Sequence, residues 1–308
     1  MRQIEKTNKK GILRKLFIKL CRLLGYELVD QADISFATSL NKESASIIGK
    51  KSIILPLGEI KIKRKIHSFD VILKTCTSVN LVTQNKKRIF EDKKSEYTFR
   101  TLNSLLKSLK KAETNTKNIN FQITIIDAGS PENDKEIMRE ILEKSQFKFH
   151  FVNLNLNDYL QRIKIINKNN DQIESNMKST MASIIKSFEI SKNSNDLVYF
   201  VEDDYIHSLD CISEMLSFYE KFSTIFEDEI FIVPVDYPYL YQKNESTNVL
   251  MGQKFHWRYI KESLLTFLTS KKMINKYYDE LIKMGEIEHE PYEAILHNIY
   301  DKEKCFSP

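Results

Sequence analysis

From Asp70 onward the chain alternates short apolar runs with longer amphipathic ones, and this alternation constrains its fold more than any other feature. "DVILKTCT" (70–77) reads as a strand that ends in small polar residues. In "SEYTFRTLNSLLKSLKKA" (95–112), Phe99, Leu102, Leu105, Leu106 and Leu109 recur at helical spacing. The pattern repeats in the strand "FQITIIDAGS" (121–130), the helix "NDKEIMREILEKS" (133–145) and the strand "FKFHFVNL" (147–154). A helix over about 174–192 then leads into "DLVYFVEDD". This order calls for a mostly parallel sheet wrapped by helices.

In open α/β sheets ligands bind in the crevice at the carboxyl ends of the strands. Those ends carry Thr75 and Thr77, then Asp127, then Glu202, Asp203 and Asp204. Three adjacent acids behind five apolar residues repel one another and are costly to hold out of water without a nearby cation. In extended backbone Glu202 and Asp204 face one side and Asp203 the other, so the triplet can serve two separate ligand groups. The plainer reading is an acidic loop entrance that caps a helix beginning near Ser208.

Length and composition set the remaining bounds. With 308 residues, 42% hydrophobic content, 7 Gly, 6 Pro and no fixed-period repeat, the chain can bury one large core. Residues 1–120 carry 26 basic and 11 acidic side chains, and the remainder 21 and 31. The basic front suits an anionic surface or polyphosphate partner, while the acidic back half argues against a general nucleic-acid binder. Cys21, Cys76, Cys211 and Cys305 show no zinc spacing and suit a reducing compartment. No apolar stretch is long enough to span a bilayer, and Arg14, Lys15 and Lys19 interrupt any signal-peptide core. The expected location is cytoplasmic, peripheral to the inner membrane.

Residues 10–26 predict a basic amphipathic helix, with Ile12, Leu13, Leu16, Phe17, Leu20, Leu23 and Leu24 at helical spacing and Lys10, Arg14, Lys15, Lys19 and Arg22 on other faces. Such a helix can lie among the headgroups of an anionic membrane or pack on the body of the protein. Residues 27–68 read as irregular, with a short strand at "SIILPL" (52–57). The expected division is an extension over 1–69 and a main domain over 70–308, with halves 70–205 and 206–308.

"VILKTCT", "IIDAGSPEND" about 50 residues later and "FVEDDY" about 75 further on resemble, in order and spacing, the GT-A nucleotide-sugar glycosyltransferases, particularly family 2-like bacterial enzymes. The resemblance covers roughly 70–300 and implies a Rossmann-like GT-A fold. It implies that Asp127 bonds the donor's base over a floor of Thr75 and Cys76. Asp204 would coordinate Mn²⁺ or Mg²⁺ on the donor diphosphate, and Asp203 and Glu202 would hold the ribose or sugar. "TCTSVN" departs from the family's usual turn after the first strand. A hard cation makes chemical sense here, since cleaving a sugar–phosphate bond leaves negative charge on the nucleoside diphosphate.

Further along, "DEIFIVPVDYPYLY" (228–241) reads as a strand with Asp236 and Tyr237 at its end. Trp257 is a candidate to stack on an acceptor sugar and Arg258 to reach a phosphate, although a core tryptophan is an equal reading. An inverting transferase needs a carboxylate to take the acceptor's proton. Glu290 fits best, then Glu288, both before a helix in "EIEHEPYEAILHNIYDKE" (286–303), with Asp236 in reserve. Acids at a helix start also serve the helix dipole.

The function expected is metal-dependent transfer of a sugar, of hexosyl type, to a cell-surface glycan, lipopolysaccharide or lipid-linked acceptor. Other readings are a non-catalytic membrane-surface scaffold or an inactive, truncated transferase, since no metal-binding His follows the last helix unless His289 or His297 substitutes. A sugar-nucleotide pyrophosphorylase would need a Gly-rich loop after the first strand, and "TCTSVNLVTQNKKR" has no glycine.

Overall fold

A computed structural model of the chain describes residues 12–25, 61–78, 93–116, 118–164, 175–242, 247–287 and 293–308. Helix α1 (Ile12–Leu23) precedes the body. The first part of the body then runs β1 (Ser68–Thr75), α2 (Lys94–Asn115), β2 (Asn120–Asp127), α3 (Glu132–Ser145), β3 (Lys148–Asn153), α4 (Ser175–Ser191) and β4 (Leu197–Glu202). The strand expected at 52–57 lies outside the described residues.

β1 pairs in parallel with β2 on one side and β4 on the other, and β2 pairs with β3. β1, β4 and the latter part of β2 are buried on both faces and read as continuous apolar runs, whereas the edge strand β3 is partly exposed. Successive side chains point to opposite faces. Val71, Leu73, Ile123, Ile125, Tyr199 and Val201 meet Leu102, Leu105 and Leu109 of α2. Ile72, Ile126, Val198 and Phe200 meet Met181, Ile185 and Phe188 of α4. Each of these fully buried leucines contributes about 2 kcal/mol.

After β4 the sheet changes character. The chain continues through α5 (Cys211–Phe226), β5 (Phe231–Ile232), β6 (Val249–Met251), β7 (His256–Tyr259) and β8 (Phe267–Ser270). It then makes α6 (Lys271–Lys276), α7 (Tyr278–Leu281), α8 (Lys283–Glu286), α9 (Ala294–Tyr300) and β9 (Cys305–Ser307). Among the described residues, nine strands lie in the order β3-β2-β1-β4-β8-β5-β9-β7-β6. β8 runs antiparallel to both β4 and β5, and β7 antiparallel to β6 and β9, while β9 is parallel to β5.

The sheet is therefore mixed, which corrects the expectation of a mostly parallel one. The alternating pattern ends at β4. Parallel neighbours need a long crossover, whereas β6 and β7 join through a tight turn in which Gly252 N donates to Phe255 O at 2.9 Å. The strand expected across 228–241 shrinks to Phe231–Ile232, and the chain beyond it turns into a short 3₁₀ segment, Pro238–Gln242. No described helix is long and apolar enough to cross a membrane.

Residues 61–67, placed by the sequence in the extension, are bound to the body at the amino ends of the strands. Arg64 donates through Nε to Glu229 at 3.0 Å and through Nη1 to Asp196 at 3.1 Å. Its backbone N bonds Thr224 at 3.0 Å. Ile66 enters the α2-side core.

Candidate functional site

The chain steps from β1 to β2 and β3 on one side and then returns to place β4 on the other, so the strand order reverses between β1 and β4. Such a switch point opens a crevice beyond the carboxyl ends of the two strands. Lys74 pairs in register with Glu202 there, and Thr75 with Asp127.

The β2 end is closed upon itself. Asp127 is 1% exposed and accepts hydrogen bonds at both oxygens. The Thr75 and Ser130 hydroxyls donate to Oδ1, and the Gly129 and Ser130 amides donate to Oδ2 at 3.1 and 2.9 Å. Gly129 has φ +104°, a left-handed conformation that a side chain would strain. Thr77 joins the same turn, with its N donating to Ser130 Oγ at 2.9 Å and its hydroxyl to Asp134 at 2.7 Å. With its oxygens so engaged, Asp127 organises the strand end. Thr75 is buried against it. Cys76 offers its N to Asp203 at 3.3 Å and its thiol to Ala128 O.

The acid triplet divides between the two faces of the sheet. Asp203, 7% exposed, turns toward α2, where Lys94 Nζ, Thr98 Oγ1 at 2.8 Å and Cys76 N hold its carboxylate. Glu202 turns toward the α4 side, with Lys74 Nζ at 3.8 Å. Burial holds its carboxyl above the usual range. Lys74 opposes the shift, while Asp204, Glu293 and Asp203 add to it. Asp204 is exposed at the mouth.

Among the described residues no three His, Cys, Asp or Glu side chains converge as a ready-made metal cage. A hard cation bound with substrate phosphates needs only one or two protein carboxylates, which Asp204 can supply. His297, considered as a substitute ligand, instead contacts the backbone of Ser263.

On the β5 side the Tyr205 and Tyr237 hydroxyls meet at 3.0 Å. Burial first, and then the charge of Glu202, raise the Tyr205 phenol. Tyr237, the expected acceptor contact, is 7% exposed. The neighbouring Tyr239 and Tyr241 on the 3₁₀ segment are exposed. Burial, then Glu262 and Glu293, push the Tyr239 phenol up to about 12. Asp236 accepts from Arg258 at 3.0 Å and from the Tyr241 hydroxyl at 2.8 Å, and Arg258 lies 4.0 Å over the Tyr241 ring. Arg258 sits on β7, four strands from β4, and is engaged with Asp236.

Trp257 requires correction, because it is a core residue. It is 1% exposed, stacks on Phe218 at 4.4 Å between centroids and donates to the buried carboxylate of Glu214 at 3.1 Å. Glu214 also accepts from the Gln253 and Lys254 amides, and this fixes the β6–β7 turn. Trp257→Phe is expected to cost about 1–2 kcal/mol in urea unfolding and to leave acceptor affinity unchanged. A raised acceptor KM in the folded variant would restore the stacking role.

The expected bases Glu288 and Glu290 lie outside the described residues. The sequence reading passed over Lys74, Lys94, Thr98, Tyr205 and Glu293. A lysine inside an apolar strand was a visible signal at Lys74. The pairing of Lys94 and Thr98 with Asp203 spans more than 100 positions and left no local trace.

No protein-family model matches the chain, and no curated protein matches it. Among solved structures it is similar to S. aureus TarS 1–349, at 12% identity and a TM-score of 0.44, over 78% of this chain and 58% of that one. It is also similar to the galactosyltransferase LgtC in complex with donor and acceptor sugar analogs, at 14% identity and a TM-score of 0.39, over 77% and 72% of the two chains. The chain thus spans less than two thirds of the TarS structure. Likeness this distant leaves any assignment to the site's own chemistry.

Proposed function

We propose that the crevice binds a nucleoside-diphosphate sugar and that the chain is a glycosyltransferase dependent on Mg²⁺ or Mn²⁺. The observation that carries this reading is the acid triplet at the switch point, divided between two faces and flanked by Lys94 and Lys74. Carboxylates and ammonium groups interleaved at a strand-end crevice suit a ligand with both hydroxyls and a polyanionic diphosphate.

Asp204 would hold the cation together with donor phosphate oxygens, and a bound cation offsets charge developing on the leaving diphosphate. Asp203 holds Lys94 near the β1 end, where its ammonium would meet a donor phosphate. Glu202, beside Lys74, would accept from a sugar hydroxyl.

The acceptor would be a cell-surface glycan, a lipopolysaccharide or a lipid-linked sugar. It would lie against the exposed Tyr239 and Tyr241 rings, whose faces suit a pyranose. In an inverting transfer a Glu takes the acceptor hydroxyl's proton as that oxygen bonds the anomeric carbon and the nucleoside diphosphate departs. Glu290 and Glu288 remain the assigned bases. Glu293, at the start of α9 and within electrostatic reach of Glu202 and Tyr239, joins them.

Thermal shift with UDP-, GDP-, CMP- and dTDP-sugars, with and without Mn²⁺ or Mg²⁺, tests the reading. At about 100 Kd the matching donor is expected to add about 2.7 kcal/mol, or roughly 5 °C in Tm, and only with the cation. No shift with any donor sinks the proposal.

A further inference from the structure

Helix α1 takes no part in the crevice, and its surface is of an unusual kind. Leu16, Phe17, Leu20, Leu23 and Leu24 are 55–78% exposed, a run of large apolar side chains that the body of the protein leaves uncovered. At 100° per residue, the positions of Ile12, Leu13 and these five fall within an arc of about 140°. Arg14, Lys15, Lys19 and Arg22 occupy positions on the opposite arc, and the helix contains no acid.

We propose that α1 lies in the headgroup plane of an anionic lipid bilayer, its leucine and phenylalanine face in the acyl boundary and its basic arc on the lipid phosphates. Twelve residues rise about 18 Å, too short to cross the hydrocarbon core, so the helix lies along the surface. The charge pattern selects lipid over a second copy of the chain. Two such helices packed face to face would cover their apolar arcs but bring eight like charges together with no acid between them. An anionic bilayer satisfies both arcs at once. This surface is independent of the sugar-transfer reading, and its test involves no donor.

The full chain is expected to float with phosphatidylcholine vesicles that contain phosphatidylglycerol. It should bind pure phosphatidylcholine much more weakly and be released by high salt. Leu16→Asp with Leu20→Asp, and separately Lys15→Glu with Lys19→Glu, should each lower partitioning at least about tenfold without changing the Tm; Leu16, Lys19 and Leu20 are exposed. The proposal is overturned if the wild type fails to float. Equal binding by both variants, or equal binding to the two vesicle types, overturns it as well. Light scattering showing a wild-type dimer that Leu16→Asp dissociates, with no vesicle binding, would assign the face to a second copy instead.

Discussion

Replacing Arg64 by methionine will lower the folding free energy by about 2–3 kcal/mol in urea unfolding at pH 7. The guanidinium is mostly buried between Asp196 and Glu229, and the Tyr219 hydroxyl donates to Glu229 from the other side. Removing it strands two carboxylates that water reaches poorly.

The loss carries a signature in pH. Burial pushes the Glu229 carboxyl up, but its hydrogen bonds to Arg64 and Tyr219 and the Arg64 charge win and leave it below the ordinary value. A depressed carboxyl contributes stability above its unfolded pKa, and that contribution is lost as pH falls through the folded pKa. Without Arg64, Glu229 is left buried without its counter-charge, its pKa rises, and the acid-side loss shrinks. The gap between wild type and Arg64→Met should therefore narrow from pH 7 toward pH 4. A gap independent of pH would mean that Arg64 acts only through packing.

The second large effect separates two neighbouring acids. Asp204→Ala is expected to lower sugar transfer at least a hundredfold, about 2.7 kcal/mol of transition-state stabilisation. Asp203→Ala removes the carboxylate that joins Lys94, Thr98 and the Cys76 amide. It should cost both activity and about 2–3 kcal/mol of stability, since the largely buried Lys94 ammonium loses the Asp203 carboxylate. Full transfer activity in Asp204→Ala would remove the basis for the metal role. An unaltered Tm in Asp203→Ala would show that its contacts to α2 hold little.

The elements up to β4 were legible because each is a local pattern. The leucines of α2 and the apolar run of β4 needed no knowledge of distant partners. Beyond β4 the strands are two to four residues long, too short for periodicity to register, and the antiparallel half of the sheet stayed hidden. The site was visible to the same extent. That Glu202, Asp203 and Asp204 stand at a strand end follows from the sequence, and so does their division between two faces. That Asp203 is claimed by Lys94 and Thr98, and Trp257 by Glu214 and Phe218, depends on side chains brought together from far along the chain. A lone tryptophan looks the same in sequence whether it meets a sugar or a phenylalanine.

The place of β9 has a consequence for the order in which the molecule is assembled. β1 to β4 and their helices can pair and pack as soon as residue 202 has been made. β7 has no sheet to join until Cys305–Ser307 slot between it and β5, with Phe306 buried beside Phe218 and Phe226. During synthesis the β6–β7 hairpin must therefore wait, with Trp257 and one edge of β5 uncovered, for the last piece of the sheet. Chaperone dependence and aggregation should accordingly concentrate in the interval between release of β5 and arrival of β9.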